Sequence, residues 1–266
     1  MTAPVPVPVL ISSDRRDLPA DKLVFVIDIQ NYSKAGDADL PMLRGQLDAV
    51  LGTVFERSGL GEEWRDTSEV KDAGDGCIVL LPTRRAAWVL DPLIGGINEA
   101  LRLVEARRLA SAPELRVRVA VHLGPVPDSH RCQAVNDACR FVDSDAVRNG
   151  LKVAAEMGSY TALIISDEVH RRIVAALRTT SPGPRDFLEV PATIDKKSFH
   201  RNAWLHVPGV DPATLAARLP TSGPAPAEPA PPQVAAAPRA GTRIKVKNAG
   251  QVIGDLQHAT VTQHNH

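Results

Sequence analysis

The stretch "VKDAGDGCIVLL", residues 70–81, decides the fold. Asp72 and Asp75 bracket an Ala-Gly pair, and a second glycine leads directly into a run of aliphatic residues. Turn residues ahead of a β-forming run predict a hairpin, because Gly and Asp accept positive φ at little cost. A plain hairpin accounts for these letters by itself. Two carboxylates near one turn would also suit a cation, provided another element brings a partner to Asp75.

Upstream of the hairpin, "LVFVIDI" (23–29) is a continuous apolar run ending in a carboxylate, which predicts a buried central strand. "PMLRGQLDAVLGTVFERSG" has helical spacing, with Pro41 suited to the first turn and a glycine at the stop. "WRDTSEVKDAG" and "GCIVLLP" then form the two arms of the hairpin. Downstream, a long helix is predicted from about Ala86 to Leu109. "ELRVRVAVHLG" (114–124) alternates charge and aliphatics, as a strand with one wet face does. A helix from about Val135 to Met157, a strand "TALIIS", a helix "DEVHRRIVAAL" and a strand pair "DFLEVPATI" and "NAWLHVP" complete the order. The pattern is an α+β layer, a ferredoxin-like core with a mixed or antiparallel sheet and flanking helices.

Composition narrows the function. Lys+Arg and Asp+Glu both total 31 in 266 residues, so no net charge steers the chain toward nucleic acid. The apolar stretches are too short to span a bilayer, and the N-terminus lacks the pattern of a signal peptide. The odd set Cys77, Cys132 and Cys139 has no metal spacing, which suits a reduced, cytoplasmic protein. We divide the chain into a flexible N-terminal segment (1–21), a folded domain (22–208), a Pro/Ala-rich disordered linker (209–241) and a short β-prone tail (242–266). The tail's "GQVIGDLQHATVTQHN" could stack into cross-β assemblies and recruit a partner, or be a frayed end carrying a weak strand.

Asp28 closes the central strand, where the hairpin tip carrying Asp75 would lie beside it. Two converging carboxylates either titrate upward or share a cation, whereas a lone Asp28 would merely start a turn. In "AVNDACRFVD" (134–143), Asn136 and Arg140 are four apart and share a helix face. Together they could hold a ribose and a phosphate; separately, Asn136 suits a helix N-cap and Arg140 a solvated position. His122 is expected to be a packed core histidine, and Trp64, Trp88 and Trp204 to be packing residues.

The ordered set "FVIDI", "VKDAGDGCIVLL", "LRVRVAVHLGPV", "AVNDACR" and "ALIISDEV" resembles the catalytic domain of the class III nucleotidyl cyclases, the adenylate and guanylate cyclase family. The resemblance covers roughly residues 22–208. It implies a ferredoxin-like cyclase core that converts a nucleoside triphosphate to a 3′,5′-cyclic nucleotide and pyrophosphate, with two divalent cations, magnesium or manganese, as cofactors. Asp28, Asp75 and the carbonyl of Ile29 would be the metal ligands. Asn136 would orient the ribose and Arg140 would face charge developing on the α-phosphate. Lys71 falls at the base-selecting position, and Lys196 or Lys197 near the lysine that grips the terminal phosphates. The family's site lies between two head-to-tail chains, which implies a homodimer with two equivalent sites.

The chain departs from the family at three places. The aspartate that assists the base-selecting lysine is expected near Ser129, and Asp128 is one place off. Asp72 stands beside Lys71 where a small residue is usual. "DIQNYSK" lacks the glycine of the phosphate loop, the easiest route for backbone N–H groups to a triphosphate. These changes resemble divergent stand-alone bacterial cyclases, including pyrimidine cyclases that make cyclic CMP or UMP as anti-phage signals for a cyclic-nucleotide-responsive effector. They are also compatible with an inactive cyclase-like nucleotide-binding or adaptor module. Lys71 alone does not select the base.

Overall fold

The sheet is assembled around β1, Asp21–Ile29. In the computed structural model, which describes residues 18–127, 130–194 and 199–220, this strand pairs antiparallel with β3 (Gly76–Pro82) on one side and β4 (Val117–Pro125) on the other. Phe25, for example, lies between Val79 and Val121. Its side chains alternate between two separate cores. Leu23, Phe25, Ile27 and Ile29 enter one, while Val24 and Val26 enter the other. Burial on both faces is why the strand reads as an unbroken apolar run.

The seven strands are ordered β2-β3-β1-β4-β5-β7-β6, where β2 is Val70–Asp72, β5 Thr161–Ser166, β6 Leu188–Ile194 and β7 Phe199–His206. The first four strands, with α1 (Leu40–Arg57) after β1, form the ferredoxin-like β-α-β-β-α-β unit that the sequence predicts. β4 and β5 run parallel and the other pairs antiparallel, which makes the sheet mixed. α1 packs into the first core through Leu43, Leu47, Leu51 and Phe55. Between β2 and α1 lies α2, Gly61–Arg65, so the first hairpin arm begins later than Trp64.

Two predicted helices are broken. The segment expected to run from Ala86 to Leu109 starts as α3 (Ala86–Trp88), passes through an irregular turn at Val89–Leu93, and resumes as α4 (Ile94–Glu105). Asp91 precedes Pro92 and is extended (φ −142°, ψ 107°), as proline demands of its predecessor. Its carboxylate accepts from the N–H groups of Thr180 and Ser181, at 2.7 and 3.1 Å. The second break falls at Ser144 (ψ 152°), which divides α5 (Gln133–Asp143) from α6 (Asp145–Glu156). α5 covers the face of β4 that was expected to be wet, and Ala120 is buried in the second core.

After β5, α7 (Asp167–Val169) widens into a turn at His170–Val174. α8 (Pro212–Arg218) corrects the linker boundary: it lies within 209–241, yet buries Leu215 in the second core. An apolar residue with a core to enter outweighs the surrounding Pro/Ala composition. The remaining linker and the 242–266 tail lie outside the described residues, as does most of the 1–21 segment.

The hairpin of residues 70–81 has a different reason for each glycine. Gly74 has φ +85°, the turn conformation that L side chains avoid. Its N–H donates to Asp72 Oδ1 at 2.6 Å, so Asp72 closes the turn. Gly76 is set by proximity: a Cβ there would lie 1.8 Å from the carbonyl oxygen of Ile27. Arg44 of α1 holds the turn from outside, donating to the Gly76 carbonyl and pairing with Asp72 at 3.3 Å. We expect Gly76→Ala to lower the unfolding free energy by about 2 kcal/mol or more, and Gly74→Ala by about 1 kcal/mol. Urea denaturation that ranks the two the other way round contradicts the close-approach account.

Candidate functional site

Asp28 and Asp75 meet at the end of β1. The register pairs Asp28 with Gly76 on one side and Arg118 on the other, and the Ile29 N–H donates to the Asp75 carbonyl at 2.9 Å. The hairpin is thus sealed onto β1 at the residue before its critical glycine. Asp28 is 7% exposed, and Arg118 donates to its Oδ2. Its Oδ1 is buried without a hydrogen-bond partner, as is Arg118 Nε. Burial pushes the Asp28 carboxyl up to about 7; Arg118 pulls against this, while the neighbouring Asp75 carboxylate adds to the rise.

Beside this pair lies an open cleft of about 430 Å³. Its walls are Ile29 at the end of β1, residues 30–34 after it, Asp75, Arg118, and the facing side of α6 with Asp143 before it. Lys34, Arg148 and Lys152 bring cations to it, with Arg148 paired to Asp143 at 2.9 Å. The loop after β1 turns without a glycine. Asn31 is left-handed (φ 58°, ψ 20°) and leads into a short helical turn at Tyr32–Lys34. Asparagine enters that region more readily than other non-glycine side chains.

The other predicted residues are placed apart from the carboxylates. Asn136 is exposed within α5, whose N-cap is Cys132, so the capping role does not hold. Arg140, one turn further on, pairs with Asp137 at 3.2 Å, and its guanidinium lies 5.7 Å from the centre of the Phe199 ring. Lys71 is exposed on β2, the edge strand. None of these three lines the cleft that Asp75 and Ile29 line. Lys196 and Lys197, with Asp128 and Ser129, lie outside the described residues.

Sequence reasoning missed Arg118. In "RVRV" it reads as an outward charge of an alternating strand, and only the β1–β4 register reveals that it faces Asp28. His122 conforms to its expected packing role: it lies 5.8 Å from the Phe141 ring, and burial lowers its pKa.

Whether the carboxylate pair can hold a divalent cation is answered by its unmet demands. An orphaned buried oxygen, a carboxyl titrating near neutrality and a second acid beside it are all relieved by one cation, so the residues fit. Among the described residues no three His, Cys, Asp or Glu side chains cluster as a metal site. A cation here would take the two carboxylates and the adjacent Ile29 carbonyl, leaving positions for water or phosphate oxygens.

No family model matches the chain, and no curated protein matches it. Solved structures similar to it include the catalytic core of a rhodopsin-guanylyl cyclase with converted specificity, in complex with ATPαS (16% identity, 72% of this chain and 96% of that one, TM-score 0.42). A bacterial light-regulated adenylyl cyclase is similar at 13% identity over 76% of this chain and 56% of that one (TM-score 0.48). The guanylate cyclase domain from Catenaria anguillulae, in complex with GTP, is similar at 16% identity over 70% and 95% (TM-score 0.41). Among the described residues, no helix is long and apolar enough to cross a membrane.

The Asp28 shift gives a pH test with a definite sign. A carboxyl whose folded pKa is raised from 3.8 to about 7 leaves stability intact below the unfolded value and withdraws it as pH climbs through 7. Asp75→Asn removes one cause of that rise. The variant should therefore gain stability over the wild type at pH 8 and match it near pH 4, in urea unfolding without added metal. Equal stability at pH 8 would show that the two carboxyls do not interact.

Proposed function

We propose that the protein is a metal-dependent nucleotidyl cyclase, which closes a nucleoside triphosphate to a 3′,5′-cyclic nucleotide with release of pyrophosphate. The single observation that carries this is the convergence of Asp28 and Asp75, with an orphaned oxygen, at the mouth of a cleft large enough for a triphosphate. Bound divalent cations would lower the pKa of the ribose 3′-hydroxyl and neutralise the pyrophosphate. Asp28, Asp75 and the Ile29 carbonyl would hold them. Lys34, Arg148 and Lys152 supply positive charge along the cleft for the phosphate chain.

Asn136 and Arg140 line no part of their own chain's cleft, so on this reading they complete the site from a second copy of the chain. On this reading the protein works as a two-fold homodimer, Arg140 stabilising charge on the α-phosphate and Asn136 orienting the ribose. Lys71 would meet the base across the same boundary, with Lys196 or Lys197 near the terminal phosphates. Asp72 is committed to closing its turn and to Arg44, which leaves Lys71 as the charged group of β2 for base contact. The base itself, purine or pyrimidine, and a role in cytoplasmic anti-phage signalling through an effector extend this same reading.

A second reading has its own observation. The Arg118 guanidinium already neutralises Asp28, as a cation would, which suits an inactive cyclase-like module that binds nucleotide. The two readings separate in one assay. Protein with manganese and each of the four triphosphates should release pyrophosphate with at least one, and Asp75→Ala and Arg140→Ala should each lose about 100-fold or more. Mixing the two inactive variants should restore about a quarter of wild-type activity, because half of the dimers are mixed and each has one intact site. Triphosphate binding with no turnover selects the inactive module; turnover with no restoration on mixing removes the shared site.

A further inference from the structure

A second concave site lies at the other end of β1. Thr83, Arg84 and Ala87 from the turn after β3, Leu123 from β4, and Arg172, Ile173 and Arg178 from the segment after β5 enclose a hollow of about 600 Å³. Leu123 and Ile173 are 3% and 8% exposed and form an apolar floor. Among the described residues, all three charged residues lining it are arginines, in a chain with no net charge. Asp21, the first residue of β1, is paired with Arg172 at 3.0 Å, so seven residue steps, about 23 Å of strand, separate this end from Asp28.

The arginines differ in commitment. Arg172 is paired with Asp21 and with Glu168. Arg84 and Arg178 have no ion pair among the described residues. Arg84 remains unpaired although it also lines a neighbouring hollow containing Glu62, Glu63, Asp66 and Glu69. Arg178 is placed by a strained turn: Leu177 before it is left-handed (φ 55°) with its side chain 74% exposed, and the Arg178 N–H donates to the Ile173 carbonyl at 2.9 Å. Glycine is the usual residue at such a helix end. Leucine held there, with nothing gained by its own burial, marks a backbone fixed by its surroundings.

We infer that this hollow is a second binding site, for a phosphorylated ligand of nucleotide size. Arginine forks match phosphate oxygens, two of the three guanidiniums have no ion pair among the described residues, and the Leu123–Ile173 floor offers an apolar surface to the rest of the ligand. The site is separate from the Asp28–Asp75 cleft and does not depend on the activity proposed for it.

The test is calorimetric titration of the full chain with ATP and with pyrophosphate, in EDTA at physiological salt. Wild type should bind ATP saturably and at least several-fold more tightly than pyrophosphate. Arg84→Gln/Arg178→Gln should weaken ATP at least tenfold, with melting temperature unchanged because both side chains are exposed. Asp75→Ala should bind as wild type does. Arg57→Gln/Arg107→Gln, which removes the same charge elsewhere on the surface, should have at most a twofold effect. The inference is overturned if wild type shows no saturable binding, if the two double variants weaken ATP equally, or if Asp75→Ala abolishes binding.

Discussion

The contact on which the rest depends is the approach of the Gly76 backbone to the Ile27 carbonyl. Any side chain at 76 would fill that space, so the hairpin can lie against β1 only because residue 76 has none. From this contact follow the Asp28–Gly76 register, the Ile29–Asp75 backbone bond and the meeting of the two carboxylates. The turn and the site are therefore one device. Arg44 reinforces it from α1, tying the helix after β1 to the same loop.

Electrostatically the site is held in tension. Asp28 is buried, borders a second acid and is answered by a single guanidinium that satisfies only one of its oxygens. Burial and Asp75 favour the neutral carboxyl; Arg118 favours the charged one, and the former prevail. A fold selected for stability alone would place an apolar residue at this position, because replacing buried charges by packed hydrocarbon is commonly neutral or favourable. Retaining an under-satisfied carboxyl in the centre of the sheet is intelligible when something else is to bind it.

Much of this was legible in the residues. Alternation and apolar runs locate β1, β3, β4, β5 and the β6–β7 pair, and the turn letters locate the hairpin. What escaped was set by pairings that no local pattern encodes. Arg118 needed the β1–β4 register, and the dry second face of β4 needed α5. The left-handed turn at Asn31 has no glycine to announce it, since asparagine enters that conformation too. The break at Asp91 was signalled by Pro92 and lost in the surrounding helical spacing. Ser144 carried no comparable signal, since a serine within an amphipathic stretch is ordinary. Composition alone starts the linker too early, because one leucine, Leu215, reaches a core.

The division of the chemical residues follows from the two-layer construction. Asp28 and Arg118 lie on the sheet face covered by α5 and α6, and that cover lets only the end of the sheet stay open as a cleft. α5 spends its inward positions, Ala134, Val135, Ala138 and Phe141, on the second core. Asn136 is consequently directed away from that core, and Arg140, four residues on, shares its face, its guanidinium paired with Asp137 and lying near the Phe199 ring. The end of α5 reaches the cleft through Asp143, whereas Asn136 and Arg140, on a face turned from the core, do not line it. The helix therefore separates these two residues from the carboxylates of its own chain.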